Sequence, residues 1–504
     1  MRALGLMLLV AVAASVTAPA QAVERLVTGG AIRGEELADG STVFRAIPYA
    51  APPVGDLRWK PPQPVEPWEG VRDVTKAPPP CFQHDEGWNT ADAKASQEDC
   101  LYLGVHAPKH KATDRMPVMF WIHGGSNRAG SGSGYIDSVI HTHGVVLVSI
   151  EYRLGVFGFL ASPELSAEQP NHISGNYALL DQIAALKWVK DNIARFGGDA
   201  NNVTIAGQSA GAYDVSVLML SPLARGLFAK AIAESGASGL AVPSRRQAAM
   251  EDIGTDFSTL MKVPAGAQGL QALRAAAPDA VLKASDALRP PFTDPSSVWG
   301  QAALDGYVLP GTPADLLAHK AQALVPLIVG NNTREFALDA PLDVQRGFIA
   351  AVFGDNATKA LSLYGLSGTD KPVDDPVLGS VGMQILTDAI FRCPASQWAT
   401  LQSRAGQKVW RYQFGLGRAR TSGPSEHSAE LGYVFDALPM GATFASWPPL
   451  QTYWTNFARS GNPNGRGLPL WRGFGKNAAY MDFTPQGPKA GKDLRGEICG
   501  LLAP

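Results

Sequence analysis

The stretch Val203-Thr204-Ile205-Ala206-Gly207-Gln208-Ser209-Ala210-Gly211 decides how the rest of this chain is read. Residues 203–206 form a short, largely β-branched run, and residues 212–219 are compatible with a helix. A G-x-S-x-G pentapeptide between a strand and a helix reads as a nucleophile elbow, with the serine on a sharp turn. Gly207 and Gly211 let the backbone turn without Cβ clashes and lift the Ser209 hydroxyl clear of the sheet. The bare pattern is weak, because Gly and Ser are abundant. Its weight comes from the strand and helix on either side.

N-terminal to this stretch, Ile183, Leu186, Val189, Ile193 and Phe196 recur at helical spacing, and Gly197-Gly198 is expected to stop that helix. Residues 118–122 and 145–150 are continuous apolar runs of strand length, as in a sheet buried on both faces. A Gly/Ser-rich turn, residues 124–134, lies between them. The Pro-rich segment 47–67 reads as irregular surface chain, and the Ala-rich segment 244–288 as helical. Strand, helix and strand alternate, so the fold expected is α/β. It is a large, mostly parallel central sheet with helices on both faces and active residues at the strand tips. No repeat, linker or domain boundary stands out. Long loop insertions on one domain, residues 23–504, account for the length of 504 residues better than several domains.

An apolar fraction of 45% and a charged fraction of 17% describe a globular chain with material for a large core. The 43 basic and 45 acidic residues nearly balance, with no basic stripe, so nucleic acid is not an expected partner. Arg2, the apolar residues 4–16 and Ala20-Gln21-Ala22 have the three parts of a secretory signal, giving a signal peptide over residues 1–22. The apolar segment is short for a membrane span, so a secreted or periplasmic protein without stable membrane insertion is expected. Four cysteines, an even number, suit that compartment. Cys81 with Cys100 would close a loop of about twenty residues, worth roughly 3 kcal/mol. Cys393 with Cys499 would close one of about a hundred, worth under about 5 kcal/mol. The sequence alone leaves three connectivities open, and no C-x-x-C or close Cys/His pair suggests a metal.

Ser209 needs a base, an orienter for the base, and donors for a developing oxyanion. His123-Gly124-Gly125-Ser126 follows a strand and is similar to an HGGG-type oxyanion loop, which works with the amide after the nucleophile, here Ala210. Each such donor is worth about 3–4 kcal/mol of transition-state stabilisation.

The chain resembles the type-B carboxylesterase/cholinesterase family of the α/β-hydrolase fold, including its bacterial carboxylesterases. Phe196-Gly197-Gly198-Asp199 through to Gly211 matches the family's nucleophile signature. Glu98-Asp99-Cys100-Leu101-Tyr102-Leu103 matches its second signature, although Gly104 stands where Asn is usual. Residues 44–50, Tyr152-Arg153-Leu154-Gly155, Phe157-Gly158-Phe159 and Leu180-Asp181-Gln182 extend the likeness over nearly the whole mature chain.

That resemblance implies a serine carboxylesterase acting on small-molecule esters without metal or organic cofactor. Its chain order puts the acid after the nucleophile and the histidine last. Glu335, in Val329-Gly330-Asn331-Asn332-Thr333-Arg334-Glu335, is the implied acid. His427, in His427-Ser428-Ala429-Glu430-Leu431-Gly432-Tyr433-Val434-Phe435, is the implied base. Seven of the nine histidines precede Ser209, and His319 precedes Glu335 in a surface helix, so His427 has little competition. The resemblance also implies the pairs Cys81–Cys100 and Cys393–Cys499, and buried ion pairs Arg58–Glu98 and Arg153–Asp181.

Two departures stand out. Ser126 replaces the third glycine of the oxyanion run, so Gly124 is a further candidate donor beside Gly125. Gln208, a candidate substrate-binding residue, stands where cholinesterases carry Glu, which argues for neutral rather than choline esters. Trp88 does not match the family's aromatic choline residue in spacing and is expected to pack within its loop. Carbamates, amides or one particular natural ester are alternative substrates. A non-catalytic, adhesion-type relative would lack the nucleophile, whereas Ser209, Glu335 and His427 are all present.

Overall fold

In the computed structural model, residues 21–237, 244–288, 299–369, 372–421 and 423–502 are described. Most of the signal segment, including Arg2, residues 4–16 and Ala20, lies outside them. The strands in chain order are β1 (Gln21–Val27), β2 (Gly30–Glu36), β3 (Thr42–Pro48), β4 (Val71–Asp73), β5 (Tyr102–Ala107), β6 (Met116–Ile122) and β7 (Val146–Ile150). They continue as β8 (Gly198–Gln208), β9 (Lys230–Glu234), β10 (Leu327–Asn332), β11 (Val409–Phe414), β12 (Ala479–Thr484) and β13 (Gly487–Lys492). All belong to one sheet, ordered β1-β2-β3-β5-β7-β6-β8-β9-β10-β11-β12-β13, with β4 beside β2. From β7 to β12 every neighbouring pair is parallel, and antiparallel strands finish both ends.

The unbroken apolar runs are explained by burial on two faces. Along β6, Val118, Phe120 and Ile122 join one core while Met119 and Trp121 join the other. On the first face sit the helices Tyr177–Asn192 and Ala210–Leu220, through Leu179, Ile183, Leu186, Val189, Val215 and Leu218. On the second sits the helix Leu450–Ser460, through Tyr453, Trp454 and Phe457. Side chains alternate across a strand, so a strand covered on both sides cannot alternate in polarity.

The helix before β8 starts at Tyr177, slightly earlier than its spacing suggests, and its last turn tightens to a 3₁₀ turn over Ile193–Phe196. Gly197, at φ 76°, ends it in the left-handed region that glycine adopts without strain. Residues 244–288 form the helices Gln247–Leu260, Ala267–Ala275 and Pro278–Asp286. Among the described residues no helix is long and apolar enough to cross a membrane. The parallel strands β6, β8, β10 and β11 all point their C-terminal ends at one edge, and the candidate site residues leave from those ends.

Candidate active site

Ser209 sits between β8 and the helix Ala210–Leu220 at φ 57°, ψ −124°. That conformation costs of order 1–3 kcal/mol and must be over-determined by its surroundings. Here the Ser209 N–H donates to the Glu234 carbonyl at 2.8 Å, and its own carbonyl accepts from the Tyr213 N–H at 2.9 Å. A Cβ on Gly211 would stand 2.1 Å from the Ile122 carbonyl oxygen, and one on Gly207 would stand 2.5 Å from that of Gly211. Both glycines of the pentapeptide are required by close backbone approach.

The loop after β6 brings the expected donors to this serine. A Cβ on Gly124 would lie 2.7 Å from the Gln208 carbonyl oxygen and 3.0 Å from the Ser209 Cβ. Gly125 has φ 110°, and its carbonyl accepts from the N–H groups of Arg128 and Ala129, each at 3.0 Å. Ser126 itself adopts φ 57°, so the replacement of the third glycine is accommodated by a left-handed serine. Among the described residues, the N–H groups of Gly125, Ser126 and Ala210 have no acceptor. Next in the loop, Asn127 donates its amide to Asp214 at 2.9 Å, and Gln182 donates to the same carboxyl at 2.6 Å. Burial pushes Asp214 up to about 7, against the pull of those two hydrogen bonds.

Glu335 lies three residues beyond β10 and is buried, with its Oε1 accepting the Asn332 N–H at 2.6 Å. Its Oε2 lies 2.7 Å from His427 Nδ1, and His427 Nε2 lies 2.8 Å from Ser209 Oγ. A carboxylate can only accept, so the proton is on Nδ1 and Nε2 is free to accept the serine proton. Gln208 is buried beside this contact, with Nε2 at 3.3 Å from His427 Nε2. His319 caps the helix Pro313–Ala318 on the surface, with Nδ1 2.8 Å from the Asp315 carbonyl oxygen. The arrangement can hold a nucleophile, a base and an orienter in line, with free N–H groups beside the nucleophile.

The sequence profile of the Carboxylesterase family matches residues 21–501. The chain belongs to that family. It is 35% identical over 487 residues to the fumonisin B1 esterase of Sphingopyxis macrogoltabida, covering 91% of this chain and 85% of that one. It is also 35% identical to carboxylesterase 1C of Mus musculus, covering 88% of this chain and 84% of the other. The solved structure of a PNB esterase superposes with a TM-score of 0.80 at 32% identity, over 95% of this chain and 99% of that one. The fold is the α/β-hydrolase fold, and the chain is a carboxylic ester hydrolase.

Around the candidate site lie residues that the motifs did not point to. Thr387 Oγ1 accepts the Glu335 N–H at 3.2 Å. Phe336 and Phe391 flank the His427 ring at centroid distances of 4.3 and 5.3 Å. Asn332 Nδ2 donates to the Glu426 carbonyl at 2.8 Å and to Glu430 Oε2 at 2.6 Å, tying the acid loop to the histidine loop. Burial pushes the Glu430 carboxyl upward, and the charge of Glu335 adds to the shift.

The structure joins Cys81 to Cys100 and Cys393 to Cys499. The first bridge closes the loop that carries Gln83, whose side-chain amide exchanges two hydrogen bonds with the Gly130 backbone, at 2.8 and 2.7 Å. That loop therefore braces the turn holding Gly124 and Gly125. Trp88, in the same loop, is 64% exposed and lies beside Gly125, so it does not pack within its loop as expected. In that loop Gln83 and Asn89 are buried and their side chains bond each other at 2.8 Å, whereas the indole is exposed. Arg58 pairs with Glu98 at 2.7 Å through Nε, and Arg153 with Asp181 at 2.8 and 2.7 Å. Both pairs lie in the interior. Among the described residues no group of three or more His, Cys, Asp or Glu is placed to hold a metal ion.

Proposed function

We propose that this chain is an exported serine esterase that hydrolyses neutral small-molecule esters through an acyl-enzyme on Ser209. The line from Glu335 Oε2 through His427 to Ser209 Oγ, at 2.7 and 2.8 Å, carries the reading. Ser209 Oγ attacks the ester carbonyl as His427 Nε2 takes its proton, and Glu335 stabilises the imidazolium. The tetrahedral oxyanion lies against the N–H groups of Gly125 and Ala210, with Gly124 and Ser126 as the further candidates. His427 returns the proton to the departing alkoxide, and the alcohol leaves. Water, deprotonated by His427, then attacks the acyl carbon and releases the acid and free Ser209. No step calls for a metal or organic cofactor.

Export rests on the signal over residues 1–22 and is supported by two disulfides, which persist in oxidising compartments. Residues 23–504 would then act as one catalytic domain. The neutral amide of Gln208 beside His427 supports neutral over cationic esters. The test is turnover of p-nitrophenyl esters of graded acyl length, with choline esters and fumonisin B1 in the same panel. Hydrolysis of the neutral esters is expected, together with labelling by an organophosphate at Ser209 and no other serine. Label on another serine, or no turnover by folded protein, would reject the reading.

A further inference from the structure

Behind the candidate oxyanion loop lie two buried polar atoms that face each other without a partner. Glu151, the residue after β7, is 1% exposed, and its Oε1 accepts three hydrogen bonds. These come from Ser131 Oγ at 2.6 Å and from the N–H groups of Gly132 and Ser133, each at 2.9 Å. Its Oε2 has no partner among the described residues and lies 4.0 Å from His123 Nε2, which has none either. His123 Nδ1 lies 2.8 Å from the Gly124 carbonyl oxygen. A carbonyl only accepts, so Nδ1 carries the ring proton and Nε2 presents a lone pair toward Glu151.

Two bare acceptors facing each other in the interior are unfavourable, and a charged carboxylate there more so. One proton on Oε2 removes that charge and turns the pair into a donor facing an acceptor, in a polar contact longer than a hydrogen bond at 4.0 Å. A neutral carboxylic acid has one oxygen that accepts and one that donates, which matches three donors on Oε1 and none on Oε2. We propose that Glu151 is a positioning residue: a neutral acid whose Oε2 proton faces His123 Nε2 and favours the ring orientation that fixes the Gly124 carbonyl and so aims the Gly125 N–H. The assignment of that N–H to the oxyanion rests on the esterase reading above.

The surroundings leave the ring little freedom. His123 stacks on Tyr152 at 4.5 Å, and the Tyr152 hydroxyl donates to the His123 carbonyl at 2.7 Å. A Cβ on Gly130 would stand 2.8 Å from His123 Nδ1 and 2.6 Å from the Gly124 oxygen. Rotation of the ring therefore moves the loop. Burial pushes Glu151 up to about 8, against its three hydrogen bonds, and pushes His123 down to about 4. The other titratable groups facing Glu151 are Asp92, whose charge raises it further, and Tyr49 and Tyr152, which burial keeps neutral.

The test compares wild type, Glu151→Gln and Glu151→Leu on a p-nitrophenyl ester across pH. Wild-type kcat should fall on the alkaline side with a half-point near 8, as Glu151 ionises. Glu151→Gln keeps an acceptor and a donor without a titrating proton, so it should retain most of kcat at neutral pH and lose that alkaline fall. Glu151→Leu should lower kcat about tenfold or more with KM changed less than about threefold, as for an interaction felt in the transition state. An unchanged alkaline fall in Glu151→Gln, or wild-type kcat in Glu151→Leu, overturns the positioning role.

A second measurement needs no substrate and separates this idea from the esterase reading. Glu151 holds a proton in the folded state that the unfolded chain releases near the ordinary carboxyl range. Its contribution to stability is therefore full below that range and is lost as pH rises toward about 8. The melting temperature of Glu151→Gln should climb relative to wild type over that interval. A constant difference would remove the proton from Glu151, whatever the activity, and it decides the matter if Glu151→Leu does not fold.

Discussion

Ser209 and the Gly124–Ser126 turn are placed by backbone, whereas Glu335 and His427 are placed by side chains. On the first side, close contacts at Gly207, Gly211, Gly124 and Gly125 leave no room for a Cβ, and strand ends set every position. On the second, loops after β10 and β11 are tied by the Asn332 bridge, by Thr387 and by two phenylalanine rings. A backbone-defined half tolerates almost no change in residue size, but it needs few partners. A side-chain-defined half tolerates changes of shape at its rim, and each lost hydrogen bond leaves a buried group unpaired.

The largest effect expected is that of Ser209→Ala, which both halves serve. Steady-state assays should show kcat down by at least about four orders of magnitude, with the melting temperature nearly unchanged. Substantial activity in folded mutant would mean that the two halves converge on some other group. Glu335→Gln strikes the side-chain half alone. It keeps the volume but presents an amide to Nδ1, so kcat should fall by about three to four orders of magnitude without unfolding. A loss of less than about tenfold would show that His427 is oriented by its aromatic neighbours rather than by the acid.

Gly125→Ala strikes the backbone half. Its Cβ would stand 1.9 Å from the Ala129 carbonyl oxygen at a φ of 110°, so the turn must shift. The expected loss in kcat is about two to three orders of magnitude, the worth of one oxyanion donor, and stability should fall in the same variant. A drop in stability with unchanged kcat would separate the turn from the chemistry. The smallest effect expected is Gln208→Glu, at the seam between the halves. At about 6 Å and an effective dielectric of about 20, the added charge attracts a cation by roughly 3 kcal/mol before screening. Paired kcat/KM values for a choline ester and a neutral isostere should shift several-fold toward the cation. An unchanged ratio would mean that this buried position does not sense the alcohol.

The same division explains what was legible in the chain. The elbow, the glycine turn and the strands beneath them are contiguous motifs, because a sharp turn or a close approach demands particular residues at adjacent positions. Glu335 and His427 were reachable through their neighbours in chain order, though His427 meets Ser209 across 218 positions. Nothing local marked Thr387, which meets Glu335 from 52 residues away, or Gln83, which braces Gly130 from 47. Trp88 was expected to pack within its loop because its spacing does not match the family's aromatic residue, yet the fold leaves it exposed beside Gly125.

The α/β alternation and the strand–turn–helix around Ser209 could be read from the residues alone, because backbone geometry and side-chain periodicity act over a few positions. The order of the site residues came from the family resemblance. Which buried atoms face one another, such as Glu151 Oε2 and His123 Nε2 or Asn332 and Glu430, was set by folding. Whether a buried polar atom has a partner depends on elements brought together by folding, and the interior penalises an unpaired one regardless of how far apart in the chain its partner lies.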